Sequence, residues 1–537
     1  MAMDPNRWMR DARRRLARLP SLRMTRVPDA PALPVRDPWP GDPNRGANLL
    51  KGELELAGTL AVLKPGGFAE VAGSDLLRAC AHGFTWLRDL RALGTDGARM
   101  RARALVQEWI AAPSLEPLSQ RPDVAGARIA AWLGHYDFFA ASADDGFRQR
   151  LMGRLVGDAR SLAAALPTEE LDARALTALK GLIAAAVALP EHAAFLTRAL
   201  RVLPQEIARQ VLPDGSHCER SPAQLLGALQ DLTEIRALLQ AAQVQPPTAL
   251  GGAIERMAPA LRTLRHGDMG LALFNGSKEE TGALIDVVLT QAARGAGRAP
   301  TALTEGGFHR LQAGRSVLIV DTGVPAPAKI DRFAHAGTLA FELSIGRDRM
   351  IVNVGAAPAA GAEWRDATRA TAAHSTLVIA DTSSSELKPE GLGRRPETVE
   401  VQRQEANGAH WLEASHDGYR KPFGAIHRRR LYMSESGDDI RGEDAVEPVA
   451  EGFGPHPYTV RFHLHPDVDA SLQQDGEAVL LRLPSGSGWR LRADGARLTL
   501  EESIYLGGPH LRRAEQVVLT GQEDGPQQVK WAISKVG

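Results

Sequence analysis

Two histidines, His335 and His374, bracket a stretch of predicted β-structure near the middle of the chain. Residues 339–344 alternate apolar and polar side chains as a half-buried strand does, and a second apolar run covers residues 350–354. Two imidazoles and the amide of Asn353, each on a strand or at its end, could meet at one point. The pattern therefore predicts a metal site or one wall of an active site. The alternative is a set of hydrogen-bonded structural side chains.

A second segment with reactive side chains is the loop 213–222, PDGSHCERSP. Its final Ser-Pro pair is typical of a helix start, because Ser caps the helix and Pro fits the first turn. His217, Glu219 and Arg220 therefore lie at a helix N-terminus, where polar side chains can face a groove. They supply a base, an acid and a cation. The alternative is a loop held together by its own Glu219–Arg220 pair.

The composition excludes several functional classes. Lys plus Arg and Asp plus Glu both number 64, so a zero formal charge gives no support for nucleic-acid binding. The two cysteines, Cys80 and Cys218, are far apart, which excludes a disulfide framework and fits a reducing compartment. The sequence has no Gly-rich phosphate loop, no Gly-x-Ser-x-Gly elbow and no His-Glu-x-x-His motif.

The periodicity of apolar residues divides the 537-residue chain into three parts. Residues 1–48 form a basic and then Pro-rich lead-in, which we expect to be an extended segment on a domain surface. Residues 49–298 are mainly helical, with Ala, Leu and Arg at 3.6-residue spacing. Residues 299–537 change to a period of two, which predicts the short strands of a β-sandwich.

The N-terminal residues 1–26 are Arg-rich and lack the apolar core of a secretory signal. No run of about 18 apolar residues predicts a transmembrane helix. We therefore expect a cytoplasmic protein, with a periplasmic location as the alternative. The basic stretch 13–18 is interpreted as a solvated helix face rather than a membrane-surface helix.

The order of the motifs resembles that of the heparinase II/III-like proteins. A helical array is followed by Pro-Asp-Gly-x-His-x-Glu-Arg-Ser-Pro, by Phe-Ala-His-Ala-Gly-x-Leu-x-Phe-Glu-Leu and by Ala-His-Ser-Thr-Leu. The resemblance implies an N-terminal (α/α) toroid of helix hairpins followed by an antiparallel β-sandwich, an α+β multidomain fold. It also implies a polysaccharide lyase that cleaves a uronic-acid glycan by β-elimination between the two domains.

The resemblance also assigns metal ligands. His335, Asn353 and His374 fall on the family's zinc-ligand positions, so a zinc ion is the cofactor it implies. Asn353 replaces the usual Asp, and an amide oxygen is a poorer zinc ligand than a carboxylate.

β-Elimination requires a base, an acid, and a group that neutralises the uronate carboxylate. The first His of the family pattern is Phe333 in this chain, and the expected Tyr is Gln224. The family's Asn-His pair has no match near residues 171–179. The remaining candidates for these roles are His217 as base or acid, Glu219 as its orienting partner, Arg220 as carboxylate ligand and Tyr419 as proton donor. The expected substrate-binding side chains are Arg332, Trp364 and Arg369.

Three functions remain open from the sequence. The first is a lyase acting on an acidic polysaccharide or oligosaccharide, and the second is a glycan-binding or assembly protein that has lost the chemistry. The third is a glycoside hydrolase, for which Glu219 is one carboxylate and the second is unassigned. A homodimer is the expected assembly.

Overall fold

The computed structural model describes residues 27–63, 71–111, 117–189, 193–292, 298–449, 455–473, 476–521 and 527–536. The predicted basic helix face at residues 13–18 lies outside these ranges. Within them, no helix combines the length and apolarity needed to cross a bilayer.

The first half of the chain is helical, as the 3.6-residue periodicity predicts. Several helices begin where the sequence supplies a cap or an N-terminal proline: Ser74 Oγ accepts from the Leu77 N–H, and Pro122 and Pro222 stand at first-turn positions. The helices are Pro43–Leu50 (α1), Asp75–Gly83 (α2), Leu87–Leu93 (α3), Asp96–Ala111 (α4), Pro122–Gly134 (α5), Tyr136–Phe139 (α6), Asp145–Ala165 (α7), Arg174–Ala188 (α8), Ala193–Gln210 (α9), Pro222–Ala241 (α10), Thr248–Thr263 (α11), Gly282–Ala292 (α12), Ala362–Arg369 (α13) and Arg420–Phe423 (α14).

Helices α5 and α8 pack closely against each other, and α8 borders the candidate functional site. A Cβ atom on Gly181 would lie 2.3 Å from the Gly126 Cα, so both positions require glycine for the two backbones to touch. This contact fixes the N-terminal end of α8, which borders the candidate site. The Pro-rich lead-in lies along the same helices, with the Ala32 N–H donating to the Ala188 carbonyl at 2.8 Å.

The second half of the chain consists mainly of antiparallel strands. They are β3 Ala302–Leu303, β4 Phe308–Ala313, β5 Ser316–Asp321, β6 Phe341–Ile345, β7 Asp348–Val352, β8 Leu377–Ile379, β9 Leu387–Lys388, β10 Gly391–Leu392, β11 Val399–Ala406, β12 Ala409–His416, β13 Ala425–Met433, β14 Asp439–Pro448, β15 Tyr458–Leu464, β16 Asp469–Gln473, β17 Ala478–Arg482, β18 Gly488–Asp494, β19 Arg497–Tyr505, β20 Arg512–Thr520 and β21 Gln528–Lys535. A small hairpin, β1 Glu53–Leu56 and β2 Thr59–Val62, precedes them in the helical half.

Two large sheets form the β-sandwich. One has the order β19-β20-β15-β7-β6-β5-β4-β3, with β8 also paired to β15, and the other has the order β11-β12-β13-β14-β21-β18-β17-β16. Their inner faces share one apolar core, which includes Phe341, Phe462 and Trp531. The predicted fold class, a helical array followed by an antiparallel sandwich, is confirmed. The predicted hairpin between the bracketing histidines is β6–β7, whose turn contains Gly346 at φ +59°.

Candidate functional site

A small recess lies where the helical half meets the nine-stranded sheet. Gly276 of the helical half and Arg332, Phe333 and His335 of the β half line it, together with Arg365 of α13. Asn275 joins the two halves here: its Nδ2 donates to the Arg220 carbonyl at 2.8 Å, and its Oδ1 accepts from the His335 N–H at 3.0 Å.

The bracketing histidines converge, as their spacing predicts. His335 Nδ1 lies 3.0 Å from His374 Nε2, and His374 Nδ1 lies 2.8 Å from the Ala370 carbonyl. Because a carbonyl only accepts, the His374 Nδ1 carries the proton, and its Nε2 accepts from the His335 Nδ1–H. Burial lowers the pKa of His374 to about 4 and the pKa of His335 well below its usual value. Both rings are therefore neutral and fixed in one tautomer.

Asn353 belongs to a different network, centred on Glu342. The Glu342 carboxylate is fully buried and accepts from the Asn353 N–H at 2.8 Å and from Asn353 Nδ2 at 3.2 Å. Its other oxygen accepts from the Leu273 N–H at 3.0 Å and lies 2.9 Å from His266 Nε2. Asn353 Oδ1 accepts from the Ser375 N–H at 3.0 Å, directly beside His374. Every polar atom of the Asn353 side chain is thus occupied.

The donors present do not make a zinc site. Two imidazoles face each other, but the third expected ligand, Asn353 Oδ1, points its lone pairs at a backbone N–H. Within the described residues, no group of three or more His, Cys, Asp or Glu side chains is arranged to hold a metal ion. Zinc therefore stays a prediction from the family resemblance.

His217 is held inside the helical half. Its Nδ1 accepts from the Glu219 N–H at 3.3 Å, and its Nε2 lies 3.2 Å from Gln210 Oε1. The backbone N–H can only donate, so Nε2 carries the proton and donates to Gln210. Burial lowers the pKa of His217 to about 4. Both ring nitrogens are engaged, and the ring is 1% exposed.

In the loop 213–222, Glu219 has a pKa that is raised toward neutral pH. Burial, with the nearby Asp172 carboxylate adding to it, raises the Glu219 pKa to about 8. One carboxyl oxygen accepts from the Ala173 N–H at 2.9 Å. The other, Oε2, has no hydrogen-bond partner among the described residues. Glu219 is therefore a buried carboxyl that is mostly protonated at neutral pH and whose Oε2 is unpaired within the described residues.

Arg220 and Tyr419 do not face a substrate in this arrangement. The Arg220 guanidinium donates to the Gly306 carbonyl at 2.7 Å and forms an ion pair with the buried Asp321 of β5, so it joins the two halves of the protein. This pairing differs from the Glu219–Arg220 pair considered from sequence. Tyr419 is 0% exposed in the sandwich core, and its hydroxyl donates to the Leu377 carbonyl at 3.0 Å.

The three residues expected to bind substrate differ in exposure. Arg369 is buried, and its guanidinium donates to the carbonyls of Ala334 and Lys388, so it supports the loop that carries His335. Trp364, on the same helix α13, is 42% exposed, which leaves a ring face open to a ligand.

Arg332 is half-buried, and within the part of the chain that the structure describes it makes no hydrogen bond or ion pair. Its guanidinium carbon lies 5.3 Å from the centroid of the adjacent Phe333 ring. Burial lowers the Arg332 pKa, and the positive charges of Arg174 and Arg121 lower it further. The carboxylates of Asp172 and Asp123 raise this pKa, but neither forms an ion pair with Arg332 within the described residues. The guanidinium therefore lacks a directly bonded counter-ion, which an anionic ligand would supply.

The structure thus brings Arg332 and His335 together at one recess with α13 beside it, and it separates Arg220 and Tyr419 from them. Sequence reasoning missed Arg365, Asp172 and Arg174. Arg365 lies one residue after Trp364, on a helix that no sequence motif predicts. Asp172 and Arg174 lie at the start of α8, outside the motifs that carry the family resemblance. Only the three-dimensional approach of this segment to residue 332 identifies them.

Comparison with known proteins agrees with this architecture. A family model described as "Heparinase II/III N-terminus" matches residues 125–295, and one described as "Heparinase II/III-like, C-terminal" matches residues 295–532. A crystal structure of heparinase III superimposes with a TM-score of 0.75 at 15% identity, covering 98% of this chain and 89% of that one. Heparan sulfate lyase HepC from Pedobacter heparinus gives a TM-score of 0.59 at 16% identity, with coverages of 92% and 82%. At such identities these two structures establish the fold alone.

One curated relative is closer in sequence. FtsZ-localized protein C of Caulobacter vibrioides (strain NA1000 / CB15N) is 34% identical over 523 residues, which cover 93% of this chain and 89% of the relative.

Replacing Asn353 with Asp is expected to destabilise the fold. The new carboxylate would lie where Asn353 Nδ2 now stands 3.2 Å from Glu342 Oε1, so two buried carboxylates would share one site and one must take a proton. We expect a loss of about 1–3 kcal/mol of unfolding free energy. The pKa of the protonated carboxyl is raised in the folded state, so the loss grows as pH rises through that raised pKa. Thermal unfolding between about pH 5 and pH 8 measures it.

The double variant Asn353→Asp, Glu342→Gln is the control. It restores one donor opposite the new carboxylate and should recover part of the lost stability. An Asn353→Asp protein as stable as the parent at the upper end of this pH range would contradict the network described here.

Proposed function

The chain belongs to the heparinase II/III-like family, and we propose that it binds an acidic, uronate-containing glycan between its two halves without cleaving it. The observation that carries this proposal is the state of Arg332. Its guanidinium lines the recess, and no carboxylate among the described residues forms an ion pair with it, although Asp172 and Asp123 lie close enough to raise its pKa. A uronate carboxylate matches the fork of a guanidinium, and this charge-assisted pair is stronger than an ordinary hydrogen bond.

Side chains around Arg332 fit the rest of a sugar chain. The exposed ring of Trp364 offers a flat apolar face to the C–H side of a pyranose. Trp364 lies outside the recess, but the next residue on α13, Arg365, lines it. The recess itself is small, about 30 Å³, so it suits one carboxylate group rather than a whole sugar ring. The remainder of the glycan would lie along the open surface between the two halves.

The proton-transfer groups argue against β-elimination. A base works best when its pKa lies near the operating pH. The pKa values of His217 and His374 are about 4, and that of His335 is also low, so all three are weak bases at neutral pH. Phe333 and Gln224 occupy the positions at which the family resemblance places a reactive His and Tyr.

Glu219 is the group that would serve if the protein is a lyase after all. Its pKa of about 8 and its unpaired Oε2 suit proton transfer near neutral pH, as a donor when protonated and as an acceptor in its ionised fraction. Its 2% exposure requires the neighbouring loop to open before a substrate could reach it. Lyase activity is therefore the alternative outcome of the experiment that follows.

The test measures binding and cleavage together. Wild-type protein is titrated calorimetrically with hyaluronan, heparan sulfate and neutral dextran, and each mixture is then assayed for the ultraviolet absorbance of unsaturated uronate. We expect binding of the acidic polymers without unsaturated product. Arg332→Ala should weaken binding about ten-fold or more, and Trp364→Ala should also weaken it. Arg201→Ala, an exposed arginine on α9, is the matched control and should bind as the parent does.

Equal affinity of Arg332→Ala and the parent for every acidic polymer would contradict the binding site. Unsaturated product that disappears in Glu219→Gln would replace the proposal by the lyase alternative. Reducing ends formed without unsaturation would instead indicate a hydrolase.

A second candidate function rests on the sequence relative. At 34% identity over 93% of this chain, FtsZ-localized protein C has a name that reports association with FtsZ, and we propose that this chain shares it. The protein should co-sediment with FtsZ polymers from its own organism when GTP is added and stay in the supernatant without GTP. Absence from the pellet at every protein ratio would exclude direct association.

A further inference from the structure

The outer face of the eight-stranded sheet carries a row of side chains outside the groove, which is the surface between the two halves that contains the Arg332 recess. In the strand register, Trp411 of β12 is opposite Tyr432 of β13, and Tyr432 is opposite Arg441 of β14. Arg441 is opposite Ala532 of β21, and Ala532 is opposite Arg492 of β18. These five residues form one row straight across five neighbouring strands. At about 4.8 Å per strand the row is roughly 19 Å long, which is the length of several sugar rings.

The first part of the row is aromatic. Trp411 is 41% exposed, although a tryptophan on a sheet face usually packs against something. Its ring centroid lies 5.3 Å from that of Tyr432, and the Arg441 guanidinium lies 5.8 Å from the Tyr432 centroid. Each group fixes the next, so the two rings form a pre-organised surface. Such a surface suits the C–H face of a pyranose ring.

The second part of the row is a trough. Ala532 is too small to fill the space between Arg441 and Arg492, and Ser534 lies two residues further along the same strand. The resulting depression has a volume of about 880 Å³ and includes both aromatic rings on one side and Arg492 on the other. This volume is in the range of ligand sites.

A second row, of charged side chains, runs beside the aromatic row on the same sheet face. Glu413, Arg430, Glu443, Lys530 and Asp494 face one another in sequence across the same strands. Negative and positive side chains alternate along this row, so its charges largely cancel. Arg430, for example, pairs with Glu413 at 2.6 Å. Arg492, in the aromatic row, is exposed and makes no ion pair within the described residues. The exposed Lys530 and Asp494 line the same depression and also make no ion pair within the described residues. The face therefore presents two rings, two unpaired cations and one unpaired carboxylate.

We propose that this row is a second glycan-binding site, a platform for an extended acidic polysaccharide. The ligand class follows from the row itself. Two rings give too little apolar area for a stable protein interface, whereas polar groups beside flat rings match sugar hydroxyls and C–H faces. The unpaired Arg492 at the far end of the trough selects a carboxylate or sulfate on the chain. The site lies on a different sheet from the groove, so it stands or fails independently of the function proposed above.

The experiment compares short and long acidic glycans on the full-length protein. Hyaluronan tetrasaccharide and long hyaluronan are titrated into the parent, Trp411→Ala/Tyr432→Ala, Arg492→Ala and the groove variant Arg332→Ala, with neutral dextran as a ligand control. Arg482→Ala, an exposed arginine on β17 outside the row, is the matched protein control. Because all the altered side chains on this sheet point outward, each variant should keep the parent melting temperature.

Removing the two rings should weaken binding of long hyaluronan by about ten-fold or more while binding of the tetrasaccharide to the groove stays at the parent value. Arg492→Ala should weaken binding of long hyaluronan and leave dextran unaffected. Arg332→Ala should instead weaken binding of the tetrasaccharide more than binding of long hyaluronan. Parent-like affinity of the Trp411→Ala/Tyr432→Ala protein for long hyaluronan would overturn the platform, and so would a parent protein that binds no long chain. If Arg332→Ala lost tetrasaccharide binding while Trp411→Ala/Tyr432→Ala and Arg492→Ala bound long hyaluronan as the parent does, the groove proposal would stand and the platform would be overturned.

Discussion

The buried carboxylate of Glu342 is the interaction on which the rest of the site depends. Four hydrogen-bond donors converge on it: the His266 ring and the Leu273 N–H from the helical half, and the backbone and side-chain N–H groups of Asn353. A fully buried carboxylate is tolerated only when it is satisfied in this way. Through Asn353 and Ser375 the network reaches His374, and His374 orients His335 at the recess. One charge therefore joins the two halves and positions the wall of the groove.

The same network supports the proposal that the groove binds a glycan without cleaving it. A neutral amide at position 353 can donate to Glu342, whereas a carboxylate there would require a cation to offset the repulsion. With the amide in place, the two histidines bond to each other and become neutral, weak bases. Arg332 forms no ion pair within the described residues, whereas the interdomain cation Arg220 holds the two halves together through Asp321. These features favour the proposed binding of an anion over removal of a proton by the three histidines.

Much of the fold could be predicted from the sequence, because the change from a 3.6-residue to a two-residue period and the helix caps are local signals. The convergence of His335 with His374 was also predictable, since a hairpin between two strand ends brings them together. The roles of Arg220, Arg369 and Tyr419 were not predictable. Their partners are backbone carbonyls and a carboxylate far away in the chain, and residue type alone does not separate a buried structural guanidinium from a free one. The row from Trp411 to Arg492 depends on strand register across five strands, which no single segment specifies.

The most direct measurement is a crystal structure of the protein with a uronate-containing tetrasaccharide. It should show the sugar carboxylate on the Arg332 guanidinium, a pyranose ring against Trp364, and every glycosidic bond intact after prolonged soaking. Asn353 should keep its hydrogen bonds to Glu342 and Ser375. An unsaturated sugar in the groove, or a bound glycan that makes no contact with Arg332, would contradict the account.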